Sequence, residues 1–66
     1  MENKAQLRIV LKRLMEENRY DLEEYGKWKE RAEKAGETAA AESLEKARQC
    51  IAEGNKALGK ALEGIT

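Results

Sequence analysis

Apolar residues in the first half of the chain fall at steps of three and four. Leu7, Leu11, Leu14, Leu22, Tyr25, Ala32 and Ala35 follow one drifting line, with Asn18 taking one place in it. That is the helical period, and it predicts a first helix over about residues 3–35. The extra four-residue step from Asn18 to Leu22 loosens any coiled-coil packing there. Asp21 with Glu24 has the spacing of a capping box, and Gly26 weakens the same stretch. The reading is one long helix, bent or straight, with a kink or break near Asn18–Asp21 as the alternative. Lys34-Ala35-Gly36-Glu37-Thr38 then stops and restarts the pattern. Gly36 suits the left-handed position that ends a helix, and Thr38 can cap the next one.

The second helix, about residues 39–65, has the stricter pattern. Leu44, Ile51, Leu58 and Ile65 recur every seven residues. Ala40, Ala47, Gly54 and Ala61 form a second column, and Cys50, Ala57 and Gly64 a third. One large column beside two small ones invites close approach by another helix. Gly54, Gly59 and Gly64 together forfeit roughly 3 kcal/mol of helix propensity against alanine, which packing or a ligand must offset. A turn at 36–38 makes the helices antiparallel neighbours. The expected fold is all-α: one helical-hairpin domain over 1–66 that self-associates into a bundle.

Size supports self-association. A 66-residue chain buries only about 60% of its unfolded surface. One cysteine cannot close an internal disulfide, and with no histidine the ordinary zinc sites are excluded. Leu44, Ala47, Ile51, Gly54, Ala57, Leu58 and Ala61 are the expected oligomer interface. Asn18, polar where the heptad expects an apolar group, suits a register-fixing role.

Composition narrows the chemistry. Thirteen basic and thirteen acidic residues cancel, so no global field draws the chain to DNA or a membrane. Within residues 1–15, Lys4, Arg8, Lys12 and Arg13 face Glu2 alone, a local balance of +3. Lys4, Arg8 and Lys12 make a basic stripe, either a solvated face or an anion-binding edge. No run approaches the ~20 apolar residues of a membrane span, and a single cysteine fits a reducing cytoplasm. Catalysis is not expected: there is no histidine for a nucleophile triad and no glycine-rich phosphate loop, and pairs such as Glu16–Glu17 read as solvated charge. No cofactor or metal is called for.

The three aromatics, Tyr20, Tyr25 and Trp28, crowd together with Lys27, Lys29 and Arg31 around them. Such a group can stack a base and hold its phosphate, or fill a subunit interface. Tyr20, off the main apolar line, is the aromatic most available to a ligand.

From Leu44 to Leu62 the chain reads LEKARQCIAEGNKALGKAL. Ala47-Arg48, Ile51, Gly54, Ala57-Leu58 and Lys60 in this string resemble the C-terminal helix of the phage anti-CBASS sponge family. Gln49, Ala52-Glu53 and Asn55-Lys56 depart from that pattern, and the first helix does not align with it. The resemblance implies a small hairpin protein of the bacterial cytoplasm that oligomerises and sequesters cyclic di- or trinucleotides of antiviral immunity. It implies that Arg48 and Lys60 meet phosphate or base. Counting from the Gly36 turn sets Arg48 level with Tyr25, and Tyr20, Trp28, Arg8 and Lys12 complete the candidate ligand set. The alternative is a homodimeric four-helix-bundle regulator, or a small phage inhibitor that docks on a host defence protein or an RNA.

Overall fold

The computed structural model describes residues 3–65 and contains two helices, α1 (Lys4–Lys34) and α2 (Thr38–Ile65). They pack antiparallel into a rod with extents of 53 × 15 × 14 Å. Its radius of gyration, 15.3 Å, exceeds the roughly 11 Å of a compact domain of this length.

Each helix end has a local cause. The Asn3 side chain accepts the Gln6 amide at 3.2 Å and starts α1. At the other end Gly36 adopts φ +78°, a region L side chains avoid. That turn lets the Glu37 amide donate to the Ala32 carbonyl (2.8 Å) and the Gly36 amide to the Glu33 carbonyl (3.0 Å), a Schellman closure. Thr38 is the first residue of α2 rather than its cap: the Ala41 amide donates to the Glu37 carbonyl at 3.0 Å, so Glu37 holds the cap position.

α1 runs through Asn18–Asp21 without a break. The capping-box alternative fails because Asp21 and Glu24 lie inside a continuous helix, where Glu24 pairs with Lys27 one turn on (3.6 Å). Nearby, the Asn18 side-chain amide donates across the seam to the Asn55 side-chain oxygen at 3.0 Å.

The seam is thin. Leu11, Leu14, Met15, Leu22, Tyr25 and Ala32 of α1 are half-buried. Ala41 of α2 is the one fully buried residue among those described. Three contacts fix the register: Lys29 to Glu45, Asn18 to Asn55, and Gly59 beside Met15, where a β-carbon on the glycine would lie 3.7 Å from the methionine methyl. The small residues nearest α1 are therefore Ala41 and Gly59, with half-buried Ala52 between them.

Candidate functional site

Two surfaces of α2 concentrate the candidate chemistry. The first lies on the seam and is built around Glu45. Its Oε1 accepts from Lys29 Nζ of α1 (3.2 Å) and from Arg48 Nε (3.0 Å). Its Oε2 accepts from Arg48 Nη2 (2.7 Å) and from the Gln49 side-chain amide (3.0 Å). Arg48 and Gln49 reach Glu45 because residues three and four apart share a helix face. The Arg48 fork beside it, then Lys29, holds the Glu45 carboxyl at a pKa of about 2, and the same pair raises that of Arg48. A carboxylate saturated on both oxygens is a poor general base. It acts here as a clamp between α1 and α2.

This clamp decides how the ligand candidates stand. The Asn18–Asn55 bond marks the register, and Tyr25 and Arg48 each lie seven residues from it towards the turn, one on each helix, hence level. Both are half-buried. Two of the donors on the Arg48 fork are already committed to Glu45.

The other candidates are not gathered round this point. Trp28 is 52% exposed, with the Arg31 guanidinium 4.5 Å from its ring centroid, a cation–π contact. Of the lysines beside the rings, Lys27 turns to Glu24 and Lys29 to Glu45. Tyr20 is 63% exposed, as expected, but it shares a surface dip with Glu16, Glu17 and Asp21. Three carboxylates make a poor setting for a phosphate. Half-buried Arg8 lies twenty residues from Trp28 on α1, about 30 Å at 1.5 Å per residue. Lys12 and Lys60 are exposed towards that same open end of the hairpin. The seven side chains do not form one pocket.

The second surface is the far side of α2. At about 3.6 residues per turn, Cys50, Gly54, Ala57, Ala61 and Gly64 point away from Ala41 and Gly59, and all five are exposed. A β-carbon on Gly54 would meet nothing within 4 Å. α1 therefore does not use the small columns. Leu44, Ile51 and Leu58, with Ala47, are half-buried on the flank between the seam and this open face. Ser43 extends the third column, giving Ala40, Ser43, Ala47, Cys50, Gly54, Ala57, Ala61 and Gly64 at alternating steps of three and four. Ser43 is absent from the column as read from the sequence. Its small volume was the signal.

No described helix is long and apolar enough to cross a membrane. The family model for DUF8180, a domain of unknown function, matches residues 7–65. No curated protein matches the chain, and no solved structure does.

Proposed function

Because the chain belongs to the DUF8180 family, whose function is unknown, we propose its function from its own surfaces: a non-catalytic docking module that receives another helix on the open face of α2. The observation that carries this reading is the eight-residue small column on the far side of α2, exposed at every position except half-buried Ala47. Residues of this size let two helix axes approach to the short end of the 8–10 Å range. Helix propensity alone disfavours Gly54 and Gly64 at exposed positions, where alanine would gain about 1 kcal/mol each. A regulator or inhibitor acting by protein contact fits this surface, in a reducing cytoplasm where exposed Cys50 stays a thiol.

Cys50 also supplies the test. Maleimide labelling in intact cells should be slow at Cys50 in the native chain and fast in Gly54→Leu, whose side chain blocks the face without touching the hairpin. Equal, fast labelling of both would remove the docking reading.

The cyclic-nucleotide sponge stands as a second reading, supported by the level placement of Tyr25 and Arg48. On this reading a phosphate displaces Glu45 from the Arg48 fork. Cyclic di- and trinucleotides should then raise the thermal midpoint in proportion to the logarithm of their concentration, and Arg48→Ala should abolish the shift. No shift in the native protein discards the sponge for the ligands tried.

A further inference from the structure

The small column alone does not say which helix it receives; the residues along its borders do. One border is apolar, with Leu44, Ile51, Leu58 and Ile65. The other carries Lys46, Glu53 and Lys60, flanked by Glu42, Gln49, Lys56 and Glu63. We propose that the occupant is the α2 helix of a second copy of this chain, antiparallel, with the two-fold axis passing between Ala47 and Cys50. The proposal rests on the docking reading above and names its partner.

In that register Ala47 lies opposite Cys50 of the second copy, Ser43 opposite its Gly54 and Ala40 opposite its Ala57. The two-fold repeats each layer. The borders then match: Lys46 faces the second copy's Glu53, and Leu44 lies beside its Ile51. The Lys46–Glu53 pair is of opposite sign and occurs twice. Sliding one heptad further along α2 sets Lys46 against Lys60 and Glu53 against Glu53, all like charges. Sliding two heptads joins Glu53 to Lys60 but leaves residues 38–45 of α2 outside the overlap. Like charges at such spacing oppose association, so the border excludes the middle register, and the longer overlap favours the first over the last.

The groups involved are free to do this. Lys46 and Glu42 make no ion pair with the described residues, and the Glu53–Lys56 contact is long, at 3.8 Å, between side chains that are each 75% exposed.

Sedimentation of the purified full chain at micromolar concentrations tests this. The native protein should be a dimer. Lys46→Glu should weaken dimerisation at least tenfold, about 1.4 kcal/mol, and Lys46→Glu/Glu53→Lys should restore it. Lys60→Glu should leave it unchanged, because no Lys60 pair exists in this register. Gly54→Leu should be monomeric with undiminished helical circular dichroism. A native chain that stays monomeric overturns the inference. If Cys50 is nevertheless protected in cells, the docking face stands and another helix covers it. A dimer indifferent to Lys46→Glu, or one broken by Lys60→Glu, overturns the register.

Discussion

At the scale of single residues, Glu45 carries the most distinctive electrostatics. Its folded pKa of about 2 lies below the ordinary 4.5, so the folded state favours its ionised form. The stability it contributes is therefore fully present above about pH 4.5 and drains away as pH falls towards 2. Acid titration followed by circular dichroism should show a shallower loss of stability between those values in Glu45→Gln than in the native chain. Identical slopes would mean that the clamp contributes nothing. Asn18 shows how far single residues could be read in advance. Its place on an apolar line marked it as a candidate register-fixing asparagine, and its amide does bond across the seam. Asn55, which answers it across the seam, gave no comparable signal. The period of α2 does not single it out, and only the closed turn brings the two level.

Among the elements, the turn was the most legible and the use of the faces the least. Gly36 stood out because no other residue type so readily takes the positive φ that a Schellman closure requires. Gly36→Ala should cost about 1–2 kcal/mol in denaturant unfolding. A β-carbon there would meet nothing within 4 Å, so the cost is one of backbone conformation alone. No loss on substitution would show that the closure is not holding the turn. The break that Asn18–Asp21 could have carried does not occur, because capping-box spacing also arises inside continuous helices, where the acid pairs with a cation one turn on. Which small residues of α2 meet α1 could not be read from periodicity. Small side chains line both sides of that helix, and a repeat of seven is silent about which side the chain folds back upon. Ala41 and Gly59 meet α1, while Gly54 and Ala61 face outward.

On the scale of the whole molecule, the hairpin was legible because one break in a long helical pattern permits few other arrangements. The ligand cluster was not. Arg8, Lys12, Tyr20 and Trp28 share a helix but not a place, and a rod spreads along 53 Å what a globule would gather. The same rod has an uneven grip along its length. The buried Ala41 and the Lys29–Glu45 pair sit near the turn, whereas Leu7, Ile9 and Val10 remain exposed at the opposite end. Contacts near the turn are also close in sequence, so little loop entropy opposes them. The hairpin should accordingly behave as a zipper, closing from Gly36 outward and opening from the far end inward. Amide hydrogen exchange on monomeric Gly54→Leu should be slowest around residues 29–32 and 41–45 and quicken steadily towards residues 7–11 and 62–65. Uniform protection along both helices would instead mean that the rod opens all at once.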